Sequence, residues 1–83
     1  MYKIELVRSA VRDIKSIPKS AVKRISDKID TLQGDPRPQG SKKLKGDELW
    51  RVRVGDYRIV YFIEDVIKVV TIVRIGHRKD IYR

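Results

Sequence analysis

Two short alternating runs, LWRVRV at 49–54 and YRIVYFIE at 57–64, flank the dipeptide Gly55-Asp56. No other feature constrains the chain so tightly. Alternation with period two sends successive side chains to opposite faces of a sheet. A Gly-Asp pair between two such runs closes a hairpin. In the first run the pleat divides Trp50, Val52 and Val54 from Leu49, Arg51 and Arg53. The apolar set must lie on a core, so Arg51 and Arg53 point away from it together, about 7 Å apart along the strand. Arg58 follows the turn and stands beside them on the neighbouring strand. Guanidinium groups are rarely buried without a partner. These three must therefore reach water, a carboxylate or an anionic ligand.

The remaining segments supply what the hairpin packs against. YKIELV at 2–7 alternates in the same way and reads as a strand. Ser9 is placed to cap a helix in which Ala10, Val11, Ile14 and Ile17 recur at helical spacing. Pro18 falls in the first turn of a second helix, where its missing N–H is harmless. Val22, Ile25, Ile29 and Leu32 form the apolar stripe of that helix and Gly34 ends it. GDPRPQGSKKLKG at 34–46 is a loop carrying a basic cluster, and IKVVTIVRI at 67–75 is a further strand after a turn at Asp65. The order β-α-α-β-β-β predicts an α+β fold: a small twisted, mainly antiparallel sheet with an N-terminal helical hairpin packed on one face. The first strand should pair with a member of the three-stranded meander. Residues 1–83 form a single domain on this reading.

The chain has no cysteine, so disulfides and thiolate metal sites are excluded, which fits a reducing cytoplasm. Charges at Lys3, Glu5 and Arg8 interrupt any signal-peptide core. No run approaches the ~20 apolar residues needed to span a bilayer. A soluble, cytoplasmic protein without a membrane partner is expected. The net charge of +9 is spread over both halves of the chain and favours polyanionic partners such as nucleic acid or the ribosome.

Three arginines in close array repel one another, since like charges facing each other destabilise a sheet. The arrangement calls for a ligand that offsets the repulsion, and phosphate suits the planar guanidinium fork. Arg74 and Arg78, with Lys42, Lys43 and Lys45 of the preceding loop, are placed to border the same concavity. The alternative is pairing of Arg51, Arg53 and Arg58 with Glu48, Asp56, Glu64 and Asp80, worth ~0–1 kcal/mol per surface pair. His77 is the only histidine, so a multi-histidine metal site is impossible, and no metal or cofactor is expected. No Gly-rich phosphate loop or Ser-His-Asp pattern is present. An enzyme built this way must work with basic groups alone. RNA cleavage by the substrate's own 2′-hydroxyl meets that limit, because the protein need supply only orientation, positive charge and proton transfer. His77 is the candidate acid or base, and the alternative is a solvated loop residue.

The segments KLKG, LWRVRVGDYRIVYFI and VVTIVRIGHRKDIYR, with the opening YKIELVRSAVRDIKSIPK, resemble the RelE branch of the RelE/ParE toxin superfamily over essentially the whole chain. The resemblance implies a RelE/microbial-RNase-like fold and the toxin of a type II toxin–antitoxin pair. It implies ribosome-dependent messenger-RNA cleavage by the metal-independent 2′-hydroxyl route, and a cognate antitoxin that wraps the toxin. The family's functional residues fall on Arg51, Arg53, Arg58, Arg78 and Tyr82, with Lys45 as the basic residue of KLKG. The best-known RelE carries lysines where this chain has Arg51 and Arg53. Arginine stays protonated, with a pKa above ~12, and is a poor base. Proton transfer therefore falls to His77, Lys45 or Tyr82, of which His77 is favoured. Two other functions fit the same residues: a ParE-type inhibitor of DNA gyrase, and a non-catalytic RNA- or ribosome-binding module.

Overall fold

A computed structural model describes residues 1–44, 46 and 48–77. Strand β1 (Lys3–Leu6) leads into helices α1 (Arg8–Lys15) and α2 (Lys19–Thr31). Strands β2 (Lys42–Lys43), β3 (Trp50–Val54), β4 (Tyr57–Glu64) and β5 (Val69–His77) follow. The sheet runs in the order β1-β5-β4-β3-β2. Strands β3, β4 and β5 form the expected antiparallel meander, and β1 joins it parallel to β5. Gly55 takes the first central place of the β3–β4 turn at φ +59, a left-handed geometry in which a glycine is at ease. A Cβ there would also stand 3.3 Å from Arg24 Nη1 of α2.

Residues paired across strands share a face. Val52, Ile59 and Ile75 therefore line one side of the sheet, as do Trp50, Tyr61 and Ile72. The helices cover that side: Ala10 of α1, Ile25 and Ile29 of α2, and Leu32 just beyond α2 complete the buried core with these strand residues. Each large aliphatic or aromatic side chain removed from water contributes ~1.5–3 kcal/mol. Ile72 and Ile75 are three apart and would face opposite ways in a regular strand. A bulge resolves this: Tyr61 pairs with Ile72 and Val60 with Arg74, so Val73 is the extra residue and both isoleucines reach the core.

Several boundaries differ from the sequence reading. Val7, not Ser9, is the N-cap of α1, and it makes no side-chain cap hydrogen bond. Ser9 Oγ instead donates to the Val73 carbonyl at 2.8 Å. Pro18 is the N-cap of α2 rather than a first-turn residue. The loop at 34–46 contributes the two-residue edge strand β2. The last strand begins at Val69 and runs to His77, because residues 65–68 form the turn, with Lys68 at φ +57.

Helix α1 has a second task. Strand β1 ends opposite Ile72, leaving the outer edge of β5 bare beyond it. The Val7 N–H donates to the Ile72 carbonyl at 3.1 Å, and Ser9 takes the Val73 carbonyl. Asp13 Oδ2 accepts the Ile75 N–H at 2.8 Å. The start of α1 and one carboxylate thus stand in for the missing strand, satisfying groups that would otherwise invite edge pairing.

Candidate functional site: the arginine face and the end of β5

On the face opposite the helices, Arg53 pairs directly with Arg58 and Arg51 with Val60. Lys42 of β2 lies across from Arg51, and Gly76 of β5 lies across from Arg58. Arg51, Arg53, Arg58 and Lys42 therefore share one surface, as the pleat predicts. Their exposure differs in a way the alternation does not predict. Arg53 is exposed, whereas Arg51 is only 7% and Arg58 only 9% exposed. Buried guanidinium keeps its charge and its need for hydrogen-bond partners. Arg51 Nη1 makes one long contact, 3.4 Å to the Gly40 carbonyl. Among the described residues, neither Arg51 nor Arg53 forms an ion pair with a carboxylate. Glu48, one of the expected counter-charges, lies 3.9 Å from Lys43 instead. Gly76 adds no side chain of its own beside Arg58.

The other candidates do not all converge there. Lys43 pairs with Trp50 and so belongs to the opposite face. Arg74 sits across from Val60 on the arginine side, but its Nε turns over the edge of β5 to Asp13 Oδ2 at 2.9 Å. His77 pairs with Tyr57, on the pleat opposite Arg58, and the two rings meet edge to face at 5.9 Å and 77°. Lys45, Arg78 and Tyr82 lie outside the described residues. His77, Tyr57, Arg74, Ile75 and Gly76 line a cavity of about 510 Å³ with Asp13, Ser16 and Ile17 of the α1 end. Sequence reasoning missed Asp13 and Ser16. The available signal was a carboxylate on the stripe of α1: Ala10, Asp13, Ile14 and Ile17 recur at three- and four-residue steps, and a charge in that row needs a buried partner.

A second polar cluster fixes the loop that ends at β2. The Arg37 guanidinium grips Asp65 through two bonds, 3.2 Å to Oδ1 and 2.9 Å to Oδ2, and Tyr2 Oη donates to Asp65 Oδ1 at 2.6 Å. The Arg37 bond first, and the Tyr2 bond second, hold the Asp65 carboxyl down at about 2, while the bonded carboxylate raises Arg37. Arg37 also lies over the Trp50 ring, 5.3 Å from its centroid. One residue earlier, the Pro36 carbonyl accepts a 2.7 Å hydrogen bond from the fully buried Tyr61 hydroxyl. Burial pushes that phenol up to about 12. These contacts anchor the segment that brings Gly40 to Arg51.

Among the described residues no group of three or more His, Cys, Asp or Glu side chains is placed to hold a metal ion, and no helix is long and apolar enough to cross a membrane. The arrangement offers concentrated, hydrogen-bonding positive charge on one face and, round the end of β5, a polar cavity with an imidazole and a phenol in its wall.

A family model described as the ParE toxin of the type II toxin–antitoxin system parDE matches residues 4–82. A protein of Methanocaldococcus jannaschii named RelE1 is 31% identical over 86 residues, covering 99% of this chain and 96% of that one. The archaeal RelE–RelB complex of Pyrococcus horikoshii contains a chain similar in structure, with a TM-score of 0.83 at 29% identity. That match covers 95% of this chain and 97% of the other. A chain of the toxin–antitoxin complex RelBE2 of Mycobacterium tuberculosis has a TM-score of 0.83 at 26% identity, covering 93% and 98%. The α+β architecture agrees with these structures, and with sequence and structure matched nearly end to end, the chain belongs to the ParE/RelE superfamily of type II toxin–antitoxin toxins.

Proposed function

We propose that the protein is a RelE-type toxin that cuts messenger RNA on the ribosome without a metal ion. The observation that carries the reading is the arginine face: Arg51, Arg53 and Arg58 share one surface, and the first two lack a carboxylate partner among the described residues. Phosphate supplies what they lack, two oxygens matching each guanidinium fork. In the reaction the 2′-oxygen attacks the adjacent phosphorus, the P–O5′ bond breaks, and a 2′,3′-cyclic phosphate and a 5′-hydroxyl result. One proton leaves the 2′-hydroxyl and one reaches the departing O5′. The arginines stabilise the added negative charge of the pentacoordinate phosphorus. Being permanently protonated, they cannot accept the 2′-proton.

That role goes to His77. It follows Gly76, the residue across from Arg58, so a ribose that crosses the end of β5 at the glycine passes the imidazole. Lys45, Arg78 and Tyr82 remain members of the proposed site on the strength of the family resemblance, with Lys42 as a further cation beside Arg51. The net charge of +9 supports docking on ribosomal RNA.

The similar structures of P. horikoshii and M. tuberculosis are toxin–antitoxin complexes, which supports a cognate antitoxin here. An apolar groove of about 310 Å³ lies between β1 and the two helices, lined by Ile4, Leu6, Ile14, Val22, Ile25 and Ile29. It suits the apolar face of an antitoxin helix.

The test is programmed ribosomes with this protein, followed by mapping of RNA ends. A cut message with a 2′,3′-cyclic end, lost in Arg58→Ala, is the expected result. The ParE name of the matching family model favours one second reading, inhibition of DNA gyrase. Intact message together with blocked supercoiling would establish it, and message bound but uncut would mark a binding module.

A further inference from the structure

We propose that the cavity at the end of β5 is a nucleobase site, and that Asp13 makes it prefer guanine. The inference rests on the RNA-cleaving function proposed above and adds to it where the base of the cut nucleotide goes.

The cavity, about 510 Å³, is several times the size of a base and is lined on one side by Asp13 and Ser16, on the other by Tyr57 and His77, with Ile17 among them. Aromatic walls accept the faces of bases. Asp13 and Ser16 supply acceptors to the hydrogen-bonding wall, and the Arg74 guanidinium, which also lines the cavity, adds donors suited to a neighbouring base carbonyl. Asp13 spends a single oxygen, Oδ2, on both Arg74 Nε and the Ile75 N–H. Oδ1 has no hydrogen-bond partner among the described residues. Ser16 Oγ donates to the Asp13 carbonyl at 3.0 Å, which leaves its oxygen lone pairs as acceptors. Two acceptors select a base edge that presents two donors. Guanine offers N1–H and the N2 amine side by side, whereas uracil offers one N–H between two carbonyls.

Asp13 is also well held. Its side chain is only 17% exposed, and Arg74 and the backbone of β5 fix the carboxylate plane. The cavity adjoins the phosphate face through one step of strand, from the Tyr57–His77 pair to the Arg58–Gly76 pair. A nucleotide with its base beside Asp13 can therefore turn round Gly76 and place its phosphate at Arg58.

Two-dimensional amide NMR of the wild-type protein, titrated with GMP, IMP, AMP, UMP and ribose 5-phosphate, tests this. GMP should shift the Ser16, Ile75, Gly76 and His77 amides. IMP, which lacks the N2 amine, should bind several-fold more weakly, and UMP about tenfold more weakly. Ribose 5-phosphate should shift only the β3–β4 arginine strands. Asp13→Asn keeps an oxygen for Arg74 and Ile75 but turns an amine toward the cavity. It should erase the preference for GMP over IMP while leaving the ribose 5-phosphate shifts unchanged. Should that variant not fold, the GMP–IMP comparison on the wild-type protein decides alone. GMP shifts confined to the arginine strands, matching those of ribose 5-phosphate, would overturn the base site and leave the phosphate site standing. Absence of shifts with every ligand would overturn both.

Discussion

Arg53 lies directly across from Arg58, and among the described residues no carboxylate forms an ion pair with Arg53. If that position serves a ligand, its removal should strengthen the folded protein and weaken RNA binding at once. Replacing Arg53 by threonine is the informative change, because Thr suits an exposed strand position and carries no charge. Two guanidinium charges ~6 Å apart repel by ~0.7 kcal/mol in bulk water, and more where one of them is shielded from solvent as Arg58 is. Directly opposed like charges in sheets cost ~0.2–1 kcal/mol. A gain of ~0.5–1 kcal/mol is therefore expected. For a chain of this size each kcal/mol moves Tm by about 4–8 °C, so the variant should melt roughly 2–8 °C higher. The gain is electrostatic and should shrink in 1 M NaCl, where the Debye length falls to ~3 Å. In the same variant, the slope of log affinity for single-stranded RNA against log salt should drop by about 0.7, the signature of one lost phosphate contact. Calorimetry at two salt concentrations and filter binding across a salt series are sufficient. A variant that melts lower than wild type and binds RNA with an unchanged slope would refute the reasoning, and Arg53 would be structural.

Three further outcomes test the frame around the site. Tyr61→Phe keeps the ring but strands the Pro36 carbonyl, so it should cost about 1–3 kcal/mol in urea unfolding. Because burial raises the phenol to about 12, the wild-type protein should lose stability as pH rises from about 10, the unfolded value, through 12. The Phe variant should lack that loss. Asp65 is the opposite case: its carboxyl is held at about 2, so its contribution is complete above the unfolded value of ~3.9 and vanishes as pH falls through 2. Asp65→Asn should flatten the acid limb of stability between those pH values, measured by circular dichroism. Lys68→Gly relieves the left-handed backbone at φ +57 but removes the ammonium 4.8 Å from the Tyr2 ring. A small net gain, below ~1 kcal/mol, is expected in thermal melts.

The meander was readable because period-two alternation and one Gly-Asp turn leave a single way to put Trp50, Val52, Ile59 and Tyr61 on the core. The same alternation placed Arg51, Arg53 and Arg58 on one face. What alternation cannot convey is depth. The burial of Arg51 and Arg58, with the side chain of their neighbour Arg53 in water, depends on what lies over each position rather than on the pleat. Alternation alone also does not reveal the bulge, where Val73 reverses the phase so that Ile72, Ile75 and His77 all lie on the side opposite Arg58. The partner of β1 was open for a related reason: its alternation fits any edge of the meander, and the parallel union with β5 is settled by how the two helices return the chain. Asp13 was passed over because one carboxylate on an apolar stripe looks like noise until the strand edge beside it is known.

The parallel contact between Lys3–Leu6 and Val69–Ile72 also governs timing. Strand β5 supplies Val70, Ile72 and Ile75 to the core and stands between β1 and β4. During synthesis, everything up to the β4–β5 turn emerges before the piece that joins the first strand to the rest. A nascent chain of this kind has helices with little to rest on, and its closing step spans nearly its full length, a slow event for so small a molecule. The hairpin that carries Arg51, Arg53 and Arg58 can pair early, but it waits for β5 before β1 and the helices close over its apolar face.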